Sequence, residues 1–130
     1  FGVQPFISDM TAMAVSQPFD TARVMRENYS RRAHLAAETL AGSNVIKPLM
    51  PEGGMFILLD VGATGLDGET FARKLLREKH VAVMPGGSFG ENARDFLRLS
   101  LTVPDDILVE AVGRIADLGQ ELTGLAAKRA

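Results

Sequence analysis

The 130-residue sequence contains no cysteine and no tryptophan, and it has only one tyrosine. The absence of cysteine excludes disulfide bonds, zinc sites built on thiolates and catalysis by a cysteine nucleophile. It also fits a protein of the reducing cytoplasm, where disulfides are rare. We therefore expect a cytoplasmic protein.

The sequence also lacks an excess of basic charge and any long apolar run. Its 14 Lys and Arg residues are balanced by 16 Asp and Glu residues. Nucleic acid is not an expected partner, because phosphate backbones attract concentrated positive charge. The longest apolar stretches, such as 55–59, are far shorter than the roughly 20 residues of a membrane span. No signal peptide is recognised, so we expect a soluble protein with no membrane partner.

The spacing of the apolar residues, which make up 46% of the chain, predicts one α+β domain. We expect a small mixed β-sheet with helices packed largely on one face. The predicted elements are a weakly patterned helix within 1–18, helices from Thr21 to about 41, from 68 to about Lys79 and from Pro104 to about Gly124, and strands at 45–46, 55–60, 81–84 and 96–101.

Capping and turn residues set several of these boundaries. Asp20 and Asp67 are placed to cap the helices that follow them, because an aspartate oxygen accepts hydrogen bonds from free amides. Prolines and glycines between 48 and 54 predict a loop. The strand at 55–60 is apolar at almost every position, which indicates a strand covered on both faces.

Arg98 is the most unusual residue, since it carries a permanent charge in the middle of a short apolar strand. A guanidinium there is costly unless an acid pairs with it. A local carboxylate such as Asp95 or Glu91 is one candidate partner. A bound carboxylate is the other, because the planar donors of arginine match both carboxylate oxygens at once.

The glycine-rich segment Pro85–Gly90 is either a tight turn at the end of a strand or a cradle of amides for an anion. It does not match the common phosphate-binding motifs, which favours the turn. Phe89 within it either inserts into the core or walls a pocket.

Other residues that carry chemistry elsewhere form no recognisable site here. No metal site is expected, because the two histidines, His34 and His80, do not have the spacing of metal ligands. The acidic residues from Asp105 to Asp117 and the arginines from Arg23 to Arg32 are interpreted as solvated helix faces. No catalytic triad or pair of carboxylates is recognised, so no catalytic residue is assigned in this chain.

Three segments together resemble the small C-terminal domain of class I/II aminotransferases, the aspartate aminotransferase-like group of fold-type I enzymes. Residues 29–33 resemble the opening of that domain, with a tyrosine followed by paired arginines, and 51–56 resemble its glycine-containing entry into a strand. Residues 83–90 and 96–100 match the family's Val-x-Pro-Gly-x-x-Phe-Gly and x-(Ile or Leu)-Arg-(Ile or Leu)-Ser. The likeness extends over about 21–122.

The resemblance implies a transferase of amino-acid metabolism that moves an amino group between an amino acid and a 2-oxo acid with pyridoxal phosphate. Arg98 matches the arginine that binds the substrate α-carboxylate, and Phe89 lies in the loop near the mouth of the active site. It also implies that residues 1–20 lead in from a large domain of the same chain and that 21–130 form the small domain of a homodimeric enzyme.

The resemblance places the imine-forming lysine and the other cofactor-binding residues in the large domain, which no segment here resembles. The chain is therefore expected to be an inactive fragment that binds no cofactor alone. The sequence around none of its own lysines resembles that of the family's imine-forming lysine: Lys47, Lys74, Lys79 and Lys128. Three alternatives stay open: a lyase, synthase or regulator of the same fold, a free-standing carboxylate-binding module, and a purely structural Arg98.

Overall fold

The computed structural model describes residues 2–17 and 20–127, and four helices and four strands follow one another within them. The α+β class is confirmed. The elements are α1 (Pro5–Ser16), α2 (Asp20–Thr39), β1 (Lys47–Leu49), β2 (Phe56–Asp60), α3 (Gly68–Lys79), β3 (Met84–Pro85), β4 (Phe96–Ser100) and α4 (Asp105–Ala127), with single turns of 3-10 helix at Gly62–Thr64, Gly86–Phe89 and Glu91–Ala93.

The four strands form one sheet in the order β1-β2-β4-β3. All three pairings are antiparallel, which corrects the prediction of a mixed sheet. The connection from β2 through α3 to β3 joins two strands that point in the same direction, and such a connection normally gives a parallel pair. Here β4 lies between them and pairs antiparallel with both, as in a split βαβ unit.

One hydrophobic core lies between the sheet and three of the helices. Alternate residues of β2 and β4 face it, because successive side chains of a strand point to opposite faces. β2 is therefore fully buried on one face and half-buried on the other, although it was predicted to be covered on both. The core includes Ile57, Leu59, Leu97 and Leu99 from these strands, Ala33, Ala36, Phe71, Leu75, Leu108, Val112, Ile115 and Leu118 from α2, α3 and α4, and Leu40 just after α2.

Helix boundaries follow the prediction most closely at α3. Asp67 accepts a hydrogen bond from the Thr70 amide at 2.8 Å, as a capping residue should. Asp20, by contrast, is the first residue of α2 and not its cap. The cap position, residue 19, lies outside the described residues. α4 continues past Gly124, its predicted end, because a glycine inside a helix weakens it without breaking it.

Two strands differ from their predicted positions. β1 lies two residues further along than predicted and includes Pro48, which is tolerated because β1 is an edge strand. The predicted strand at 81–84 is reduced to β3, because only Met84 and Pro85 pair with β4.

The weakly patterned first helix exists as α1, and none of its side chains is buried. Within residues 2–17 and 20–127, no helix is long and apolar enough to cross a membrane.

Candidate carboxylate-binding site

Arg98 lies at the centre of β4, one of the two strands with a neighbour on each side. Its partners across the sheet are Leu58 and Met84. Because Leu97 and Leu99 face the core, the Arg98 side chain lies on the opposite face of the sheet, and it is half-buried there.

The local acids that might have paired with Arg98 are engaged elsewhere or do not approach it. Glu91 lies 3.5 Å from the guanidinium of Arg94. Among the residues that the structure describes, no carboxylate oxygen comes within ion-pair distance of Arg98, and its guanidinium makes no hydrogen bond. The nitrogen donors of Arg98 are therefore open to a ligand on this face.

Two phenylalanine rings flank the Arg98 guanidinium instead. Its Cζ atom lies 4.2 Å from the centroid of the Phe56 ring and 4.6 Å from that of Phe89. Both distances allow cation–π attraction between the positive guanidinium and the negative face of the ring. The Phe89 side chain is 55% exposed, so it does not insert into the core. The sequence pattern did not single out Phe56, because its position beside Arg98 depends on how β2 pairs with β4.

The turn that carries Phe89 is held tightly against β4. A Cβ atom on Gly86 would lie 2.1 Å from the carbonyl oxygen of Ala93 and 2.8 Å from that of Phe96. Only glycine allows this approach. The Gly90 amide donates to the Gly87 carbonyl oxygen at 3.3 Å, so the turn closes on itself. This geometry favours a structural turn over an anion cradle.

The sequence predicted that the arginines from Arg23 to Arg32 form a solvated helix face, but the last two of them make specific contacts. Arg31 and Arg32 both donate to the carboxylate of Asp105, and Arg32 also donates to the Leu101 carbonyl oxygen at 2.9 Å. These hydrogen bonds lower the pKa of Asp105, and the same carboxylate raises the pKa of Arg31. The cluster joins α2 to the start of α4.

The histidines take local roles. His34 Nδ1 lies 2.8 Å from the Ser30 carbonyl oxygen, one turn back along α2. His80 ends α3 with a left-handed φ of 57°. Across residues 2–17 and 20–127, no three metal-ligating side chains come together.

Comparison with known proteins identifies the family to which this chain belongs. The profile of aminotransferase class I and II matches residues 5–115. The chain belongs to this family, the fold-type I group that uses pyridoxal phosphate.

Two relatives and one solved structure illustrate the similarity. The chain is 40% identical over 126 residues to an arginine–pyruvate transaminase of Pseudomonas aeruginosa, a match that covers 97% of this chain and 32% of that protein. It is 33% identical to a probable N-acetyl-LL-diaminopimelate aminotransferase of Bacillus subtilis, with coverages of 84% and 28%. The structure aligns with the aromatic aminotransferase of Pyrococcus horikoshii at a TM-score of 0.74 and 28% identity, covering 81% of this chain and 28% of that one. The chain thus spans about a third of the length of these relatives.

Of the four lysines in the sequence, three lie among the described residues. A lysine that forms an imine must lose its proton to become a nucleophile. Lys74 pairs with Glu78, and Lys79 pairs with Glu121 at 2.6 Å, which raises the pKa of Lys79. Lys47 lies exposed on the edge strand β1, and residue 128 lies outside the described residues. The described lysines thus lie either in ion pairs or exposed on an edge strand.

Proposed function

We propose that this chain is the small domain of a pyridoxal-phosphate aminotransferase and that Arg98 binds the α-carboxylate of its amino-acid and 2-oxo-acid substrates. The observation that carries the proposal is the guanidinium of Arg98, whose Cζ atom lies 4.2 and 4.6 Å from two aromatic ring centroids and which has no acid partner within residues 2–17 and 20–127. Phe89 then forms one wall of the substrate pocket.

The surroundings of Arg98 suit a carboxylate. Leu58 and Met84, its neighbours across the sheet, are apolar, and a carboxylate that pairs with arginine in such surroundings is less screened than in water. Two parallel N–H···O bonds would fix the orientation of the carboxylate as well as its position. The carboxyl group of an amino acid is attached directly to Cα. Arg98 would therefore also orient the Cα–H bond that transamination breaks.

In this proposal the chemistry is supplied outside these 130 residues. Pyridoxal phosphate acts as an electron sink in such enzymes, and the imine-forming lysine and phosphate-binding residues would belong to a large domain of the same protein. Residues 1–20 would lead in from that domain, and 21–130 would be the small domain. The 130 residues alone would be inactive, and the complete protein would be a cytoplasmic homodimer.

The test is steady-state kinetics of the complete protein with Arg98→Lys and Arg98→Ala. L-Arginine with pyruvate is the first substrate pair, because a 40% identical relative is an arginine–pyruvate transaminase. A charge-assisted hydrogen bond contributes about 1.5–3 kcal/mol, so we expect kcat/KM to fall roughly 10- to 150-fold for each bond lost. Arg77→Ala, which removes an exposed arginine of α3, is the matched control and should leave kinetics unchanged.

The outcomes separate the alternatives. If Arg98→Ala keeps the wild-type KM and changes only stability, Arg98 is structural and the assignment fails. Product analysis of the complete protein distinguishes amino-group transfer from a lyase or synthase of the same fold. A carboxylate-binding module without catalysis would bind the acid, lose that binding in Arg98→Ala and release no product.

A further inference from the structure

We propose that Phe56 and Phe89 are positioning residues that orient the Arg98 guanidinium for the substrate carboxylate. This inference rests on the carboxylate-binding role proposed for Arg98. An arginine side chain has four rotatable bonds and loses much conformational freedom when it binds a ligand. Orientation before binding reduces that loss and so raises affinity.

The polar contacts that usually fix an arginine are missing among the described residues. Neither an ion pair nor a hydrogen bond holds the Arg98 guanidinium, whereas two rings lie 4.2 and 4.6 Å from its Cζ atom. The donors of a guanidinium lie in its plane, and an aromatic ring attracts the cation without accepting those hydrogen bonds. The rings can therefore orient the group and still leave its donors for a carboxylate.

Phe56 is the fixed member of the pair. It lies in β2 opposite Ser100, and the amide of Leu101 donates to the Met55 carbonyl oxygen at 2.9 Å beside it. The ladder between β2 and β4 therefore sets the distance between Phe56 and Arg98. A substitution of Phe56 therefore removes its ring from a position that is fixed by the pairing of β2 with β4.

Phe89 is the exposed member, on the turn that Gly86 holds against β4. Because 55% of its surface is exposed, its replacement should cost less stability than that of a core residue. Phe89→Leu is therefore the cleaner test, since a loss of function cannot be assigned to unfolding.

The experiment measures kcat, KM for the amino acid and the inhibition constant of butyrate in the complete protein. Butyrate carries a carboxylate but no amino group, so its binding reports on Arg98 without turnover. For Phe89→Leu and Phe56→Leu we expect KM and the inhibition constant to rise roughly three- to ten-fold with little change in kcat. Phe89→Tyr and Phe56→Tyr, which keep the ring, should restore most of the affinity. Phe96→Leu removes a ring from the same face of β4 and serves as the control.

Three results would overturn the proposal. Unchanged constants in both leucine variants, alongside a raised KM in Arg98→Lys, would remove the positioning role and leave the carboxylate assignment intact. An equal rise in Phe96→Leu would show a general effect of lost aromatic packing. A normal KM in Arg98→Lys would remove the role of Arg98 itself, and the positioning role with it.

Discussion

Replacement of Gly86 by alanine should destabilise the fold and disturb the site at the same time. The new Cβ atom would lie 2.1 Å from the Ala93 carbonyl oxygen and 2.8 Å from that of Phe96. Ordinary contact begins at about 3.4 Å, so the turn would have to retreat by more than 1 Å. The obstructing atoms belong to the backbone and cannot rotate away. Forcing an extra carbon into such a space typically costs about 1–3 kcal/mol.

The neighbouring glycine provides a matched control. A Cβ atom on Gly87 would meet only the Cα atom of Arg94, at 4.0 Å, and Gly87 has no left-handed φ. Gly87→Ala should therefore be neutral or should stabilise the fold by up to about 1 kcal/mol, because alanine restricts the unfolded chain.

Thermal unfolding of the 130-residue chain followed by circular dichroism measures the contrast. A cost of 1 kcal/mol corresponds to roughly 3–6 °C in a domain of this size, so Gly86→Ala should melt about 3–18 °C below wild type. In the complete protein the same variant should raise KM, because it displaces Phe89. Equal melting temperatures for Gly86→Ala and wild type, or an equal loss in Gly87→Ala, would refute the close approach of the turn to β4.

Three further predictions concern stability. The pKa of Asp105 is lowered in the fold, so the contribution of its carboxylate to stability is complete above the ordinary carboxyl pKa and is lost as the pH falls through the lowered value. The urea midpoints of wild type and Asp105→Asn should therefore differ at pH 7 and converge towards pH 3. A constant difference between the two midpoints would contradict the pKa shift. Leu59→Ala should lower the free energy of unfolding in urea by about 2–5 kcal/mol and Leu58→Ala by much less, since only Leu59 of the two is fully buried. Similar losses in the two variants would contradict the alternation of buried and half-buried residues along β2. His80→Gly should stabilise the fold by up to about 1 kcal/mol and raise the melting point, because glycine adopts a left-handed φ without strain. A lower melting point would argue against that backbone conformation.

Local chemistry was readable from the sequence. Asp67 caps α3 because its carboxylate and the amide it binds are three residues apart, and the alternation of Leu97, Arg98 and Leu99 sets two opposite faces within one strand. The family could also be predicted, since three motifs in order resemble its small domain. The role of Arg98 stays a prediction.

Contacts between distant segments could not be read in the same way. The position of β4 between β2 and β3, and with it the place of Phe56 beside Arg98, depends on strand order and register, which no local pattern encodes. Arg31 is 74 residues from Asp105 in the chain, so its pattern on α2 resembled an ordinary solvated face. Val81 and its neighbours have the composition of a strand but do not pair with β4.

The central place of β4 also determines when this site can exist during synthesis. β2, with Phe56, and the turn with Phe89 both leave the ribosome before β4 does, and no described pairing joins β2 to β3 without it. A nascent chain that ends before residue 96 thus has both rings but nothing to hold them together. The insertion of β4 completes the sheet and delivers Arg98 in the same event, so a chain that has not closed its sheet also has no site.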